Sequence, residues 1–211
     1  MDFVNQLKYQ IQFNLPGERS HLTMAPVNRP ISSFARKETM IYRESAVSIL
    51  LIEEDKTRKI ILIQRPPYEG THGGQISFPG GKMDPEDHSD FHTALRECQE
   101  EIGVNLQQAT YLGELTPVFI PVSKFNVHAH VFYLTNTPSM TADPREVESI
   151  FHITCDELLD ENRVQTMEID LPDNQKLNGI PCFDIQSKQI WGATALMLNE
   201  LKMILKEIES N

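Results

Sequence analysis

The sequence predicts an α+β domain in which helices cover a mixed β-sheet. Three observations carry this. Two β-branched runs, AVSILLI (46–52) and KIILIQR (59–65), are separated by the short polar stretch EEDKTR and read as a hairpin. Two segments, about 90–103 and about 189–207, place apolar residues at helical spacing. Strands and helices interleave without the regular βα alternation of a doubly wound parallel sheet. A length of 211 residues fits one domain with extensions, and 40% hydrophobic residues can supply a core.

The elements follow in order. Residues 1–34 read as an amphipathic helix and then an extended arm, LPGERSHLTMAPVNRP. Pro16-Gly17 stops the helix, and Pro26 and Pro30 keep the arm extended. Residues 35–211 form the domain proper. After the hairpin, PPYEGTHGGQ and FPGGKMDPEDHSD flank a short ISF strand, and their glycine density implies tight turns or backbone close to a ligand. The helix at 90–103 can be capped by Ser89 or Asp90 and ended by Gly103. Strands are expected near 110–115 and 126–135, a short helix near 155–161 after Thr154, and a strand pair near 165–171 and 181–185. The final helix carries Leu196, Met197, Leu201, Ile204 and Leu205 on one face.

Charge narrows the function. With 19 Lys+Arg against 30 Asp+Glu the net charge is −11. That argues against a non-specific nucleic-acid or anionic-membrane binder, which needs surplus positive charge. Anionic small molecules stay open, because a bound cation reverses the sign of one site. Cys98, Cys155 and Cys182 are few, odd in number and far apart, so neither a disulfide framework nor a structural zinc site is expected, and a reducing cytoplasm fits. The start, MDFVNQLKYQ, does not read as a signal peptide. The longest apolar run, Ala46 to Ile52, is far short of the ~20 residues a membrane helix needs.

Within the helix at 90–103 the negative charge becomes local. At about 100° per residue, Glu97, Glu100 and Glu101 fall within an arc of about 100° beside Arg96, while Ala94, Leu95, Cys98 and Ile102 take the buried side. Glu97 and Glu101 repel at i,i+4, and the helix dipole disfavours anions near a C-terminus. One reading is a divalent metal face, since carboxylates on a rigid element suit hard Mg²⁺ or Mn²⁺ with phosphate oxygens as further ligands. The other is a solvated acidic face. His128 and His130 point to one side of a strand, as His-x-His can for metals, but no third ligand is visible in sequence and a plain strand face is expected.

The stretch GGKMDPEDHSDFHTALRECQEEIGV resembles the Nudix box, G-x5-E-x7-R-E-U-x-E-E-x-G-U with U aliphatic. Gly81 fits the first glycine, and Arg96, Glu97, Glu100, Glu101, Gly103 and Val104 fit the second half without gaps. Asp87 stands for the first glutamate, one residue further from Arg96, and Cys98 replaces an aliphatic. Upstream, ILIQRPPYEGTHGGQISFPGGKMD is similar to the extension of coenzyme A diphosphatases, L-L-T-x-R-[SA]-x3-R-x3-G-x3-F-P-G-G. Arg65, Gly74, Phe78, Pro79, Gly80 and Gly81 match in register, whereas Ile63, Pro66 and Gly70 depart. Segments 15–29, 120–127 and 190–195 also resemble that subgroup.

The resemblance implies a Nudix α/β/α sandwich with a mixed sheet. It implies metal-dependent hydrolysis of the pyrophosphate bond of coenzyme A or acyl-CoA, giving 3′,5′-ADP and 4′-phosphopantetheine or its acyl derivative. The alternatives are another nucleoside diphosphate derivative such as ADP-ribose or NADH, favoured by Gly70 in place of an arginine, and a non-catalytic nucleotide sensor. Glu97 and Glu101 are then the principal Mg²⁺ or Mn²⁺ ligands, Glu100 a ligand or the general base, and the Gly81 carbonyl faces a metal. Arg96 orients the glutamates, and Glu146, in PREVE, is a second candidate base. Arg65, His72 and Gln75 bind substrate. A homodimer is expected from the family and from the apolar last helix.

Overall fold

A computed structural model describes residues 2–27, 29–37, 40–67, 73–170 and 176–210. The hairpin forms as expected. Strands β1 (Arg43–Glu54) and β2 (Thr57–Gln64) pair antiparallel, with Leu51 opposite Ile60 and Glu54 opposite Thr57. The connection is only Asp55-Lys56, both at positive φ, the geometry of a type I′ turn. Most of the polar stretch is therefore strand, its charges paired across the ladder as Glu53–Arg58 and Glu54–Lys59.

β1 is the frame of the molecule. Along one edge it runs parallel to β7 (Phe125–Leu134). Its other edge is shared by β4 (Gly80–Lys82), opposite Ser45–Val47, and by β2 further on. β2 also pairs with β3 (Ile76–Ser77) and β8 (Ser149–Thr154), and β7 with β5 (Thr110–Glu114) and β6 (Val118–Ile120). A separate antiparallel sheet holds β9 (Val164–Asp170), β10 (Lys176–Ile185) and β11 (Lys188–Trp191).

The helices cover both faces of the large sheet. Val47, Ile49 and Leu51 of β1 pack with Leu7 and Ile11 of α1 (Phe3–Phe13) and Leu201 and Leu205 of α6 (Gly192–Glu209). Leu50 and Ile52 pack on the other face with Phe132 and with Cys98 and Ile102 of α4 (Asp90–Ile102). A strand buried on both faces has no polar side to show, which is why 46–52 reads as an almost unbroken apolar run. Its exception, Ser48, donates its hydroxyl to the Ala94 carbonyl of α4 at 2.8 Å.

Three expectations are corrected. The segment after α1 is not extended throughout: it contains α2 (Glu18–Leu22) and α3 (Ser32–Ala35), and buries Ser20, His21 and Met24. It is locked by Glu200 of α6, which is fully buried, accepts from the backbone N–H groups of Gly17 and Thr116, and lies 3.3 Å from His21 Nε2. The last helix begins at Gly192 rather than near 189, because Lys188–Trp191 is drawn into β11. Its apolar face packs into the core, and Met203 is exposed. Four short strands lie outside the sequence expectation: β4 and β8 form by pairing with the distant β1 and β2, and β6 and β11 by pairing with their chain neighbours β7 and β10. The remaining helix, α5 (Cys155–Leu159), starts at Thr154 with a reciprocal capping box to Glu157.

Candidate metal and phosphate site

α4 places the chemistry. Its start is capped by Ser89, whose hydroxyl accepts from the His92 N–H, and Gly103 ends it at φ 72°. The Ser48–Ala94 bond draws the helix onto β1, and this pushes Glu97 and Glu101 against β4. Both are almost out of solvent, at 8% and 1% exposure, unlike the residues of a solvated face. Glu101 Oε2 accepts from the Gly80 N–H at 2.7 Å, and Oε1 lies 3.4 Å from Arg65 Nη2. Burial pushes the Glu101 carboxyl up to about 7, against the pull of Arg65 and of the Gly80 bond. Burial also raises Glu97, partly offset by Arg96.

Gly81 is there for space. A Cβ on it would sit 2.5 Å from the Glu97 carboxylate. A β-strand backbone and a helix carboxylate thus meet at a distance that only glycine permits.

Arg96 holds the face together. Its Nε and Nη2 bind the two Asp87 oxygens at 3.0 and 2.7 Å, and its Nη1 reaches Glu97 at 2.8 Å and Glu100 at 2.9 Å. Nη2 also donates to the Lys82 carbonyl. Asp87 accepts further from Thr93 Oγ1 and from the Asp84 N–H. The guanidinium holds its carboxyl well below the ordinary range. Asp87 therefore clamps the loop before α4 to the helix.

Glu146 completes the cluster from a distant loop. The Asp143 N–H donates to the Glu101 carbonyl and the Val147 N–H to the Asp143 carbonyl, so this loop is pinned beside the end of α4. The exposed Glu146 then offers a carboxylate oxygen to the buried pair, and ligand oxygens of Glu97, Glu101 and Glu146 lie within 4.8 Å of one another. Glu100 is not in this group; it is exposed and held by Arg96. Three converging carboxylates, two of them buried, repel unless a cation joins them. An all-oxygen donor set beside a glycine cradle fits a hard divalent ion.

Of the remaining expected residues, Arg65 stands at the rim, its side chain 24% exposed. Its N–H donates to the Gln75 carbonyl, which brings Gln75 alongside. His72 lies outside the described residues. The convergence of Glu146 had almost no sequence signal: its neighbours Pro144 and Arg145 mark only a polar turn.

A NUDIX domain model matches residues 42–169. The chain belongs to the Nudix family of hydrolases, and the observed sandwich is the fold of that family. It is a Nudix hydrolase similar to Nudix hydrolase 3 of Caenorhabditis elegans, with 31% identity over 83% of this chain and 80% of the relative. The NudL Nudix hydrolase of Photorhabdus laumondii is 31% identical over 75% of this chain and 83% of its own length. A probable Nudix hydrolase of Schizosaccharomyces pombe is 28% identical over 93% of this chain, which spans 64% of that relative. Among solved structures, the Nudix hydrolase RenU of M. smegmatis superposes with a TM-score of 0.55 at 13% identity, over 79% of this chain and 87% of that one. The MutT protein of Methanosarcina mazei Go1 gives 0.51 at 16% identity, over 81% and 99%.

Proposed function

We propose that this hydrolase cleaves the pyrophosphate bond of coenzyme A or acyl-CoA, releasing 3′,5′-ADP and 4′-phosphopantetheine or its acyl derivative, with Mg²⁺ or Mn²⁺. The observation that carries the reading is the meeting of Glu97, Glu101 and Glu146 beside Arg65. The likeness of residues 61–84 to the coenzyme A diphosphatase pattern supports the substrate. A divalent cation held there neutralises pyrophosphate charge and lowers the pKa of a bound water.

The chain's own residues do the rest. Glu97 and Glu101 hold the ion, with the Gly81 backbone beside them. Arg96 keeps Glu97 and Glu100 in place by charge-assisted bonds. Glu146 is the exposed member of the cluster and takes the proton of the attacking water; Glu100, at the rim, is the second candidate base. Arg65 exchanges its long contact with Glu101 for a substrate phosphate oxygen, Gln75 lines the approach, and the family resemblance assigns His72 to substrate binding. The three thiols are free and buried, which fits a cytoplasmic location.

A substrate panel with Mg²⁺ or Mn²⁺ tests the reading: coenzyme A, acyl-CoA, ADP-ribose and NADH, with products identified. Release of 3′,5′-ADP from coenzyme A is the expected outcome. Fast turnover of ADP-ribose with none of coenzyme A would favour the second reading, to which Gly70 points. No turnover of any of the four would leave a nucleotide sensor.

A further inference from the structure

A second group of donor atoms lies at the other end of α4. Asp90 opens the helix seven residues before Glu97, about 10 Å away along the axis. Beneath it, His128 and His130 point to the same face of β7, and Glu114 of β5 stands opposite His130 in the ladder. His130 Nε2 lies 2.9 Å from Asp90 Oδ1. His128 Nδ1 lies 2.6 Å from Glu114 Oε1 and 3.9 Å from Asp90 Oδ2. Ligand atoms of Asp90, Glu114 and His130 fall within 4.8 Å of one another.

The surroundings resemble a built site more than a chance meeting. The His130 side chain is only 3% exposed, and Asp90 and Glu114 are about one-third exposed, which leaves a path from solvent. Each imidazole turns one nitrogen toward the Asp90–Glu114 pair and has the other held separately. His130 Nδ1 is 3.0 Å from the Tyr111 hydroxyl, and His128 Nε2 is 3.2 Å from Glu44. Fixing the far nitrogen orients a ring and sets its tautomer, as metal-binding histidines require. The ring of Phe91 packs edge-on to both His130 and Tyr111 and walls the group. A bulge in β5 between Tyr111 and Gly113 lets Tyr111 and Glu114, three residues apart, serve the same face. Among the described residues, no lysine or arginine pairs with Asp90, Glu114 or Glu44, so three carboxylates surround two histidines without a fixed cation.

We infer that His128, His130, Asp90 and Glu114 form a second metal site, for a borderline divalent cation of the Zn²⁺ class. Two nitrogen and two oxygen donors suit Zn²⁺, whereas Mg²⁺ prefers oxygen and the geometry at Glu97 and Glu101. The site joins the first turn of α4 to β5 and β7, and so anchors the helix whose far end carries the glutamates. Its test does not depend on the identity of the substrate.

The full-length chain, freed of metal, is loaded with Zn²⁺ or with Co²⁺ as a coloured substitute. Metal content is measured after gel filtration in the wild type, in E97Q/E101Q, and in E97Q/E101Q with H128Q/E114Q added. E97Q/E101Q retains one equivalent, resists displacement by millimolar Mg²⁺, and with Co²⁺ shows the strong visible bands of low-coordinate nitrogen ligation. Adding H128Q/E114Q weakens Zn²⁺ binding at least about 100-fold. Both substitutions fall at partly exposed positions, and far-UV circular dichroism confirms that the fold persists. If they unfold the chain, H128Q alone replaces them. Absence of bound metal in E97Q/E101Q, or its undiminished retention after H128Q/E114Q or H128Q, overturns the inference.

Discussion

Glu101 shows how a single residue can be costly to the fold and central to the proposed metal site. Burial raises its carboxyl from an ordinary 4.5 to about 7. The metal-free folded chain therefore binds this proton more tightly than the unfolded chain. Stability falls as pH rises from about 4.5 to about 7 and stays lower above, by on the order of 3 kcal/mol. Glu101→Gln removes the penalty. At pH 8 without metal, the variant should melt at a higher temperature than the wild type, while its metal-dependent turnover drops by more than about 100-fold. Equal melting temperatures would show that the carboxylate is not under strain. Gly81→Ala tests the neighbouring contact. Its Cβ would drive the Glu97 carboxylate aside, so activity should fall sharply, while stability changes little because only the far end of a flexible side chain has to move. Full activity in that variant would mean that the close approach has no catalytic use.

At the scale of the element, α4 is held by a clamp of its own. Arg96 binds Asp87 through two nitrogens, a planar match that lysine cannot reproduce. Arg96→Lys should loosen the loop at 82–89, reduce turnover and lower stability by about 1–3 kcal/mol. Asp87 carries the opposite pH sign to Glu101. Its folded pKa is depressed, so its stabilisation is present above the ordinary aspartate value and is lost as pH falls through the acid range. Arg96→Lys should flatten that acid limb of the stability curve, as read by urea unfolding from pH 2 to 5. The helix itself was legible: its cap at Ser89, its stop at Gly103 and its three-glutamate face are all local patterns. What α4 packs against was not, because Ser48, Gly80 and Glu146 reach it from elsewhere in the chain.

At the scale of the whole molecule, the N-terminal segment behaves as part of the core. Leu7, Ile11 and Met24 are at most 2% exposed, and Glu200 gathers Gly17, His21 and Thr116 around one buried carboxylate. Glu200→Ala should cost about 3–5 kcal/mol, measured by chemical denaturation, because it removes the acceptor and strands its donors. A loss below 1 kcal/mol would show that the segment is held by apolar packing alone.

The residues that specify one helix, one hairpin and the Nudix pattern could be read directly, since propensity, capping and short motifs depend on neighbours a few positions away. The class of fold and four of the site's residues, Gly81, Arg96, Glu97 and Glu101, rest on such local signals. Tertiary structure alone decided the rest. It joined Glu146 to the buried glutamates, turned Asp87 into a clamp, drew the last apolar helix into the core and gave His128 and His130 the two carboxylates that sequence spacing did not reveal. The physical reason is the same in each case: a carboxylate's role depends on burial and on the charges around it, and both are set by chain segments far apart in sequence.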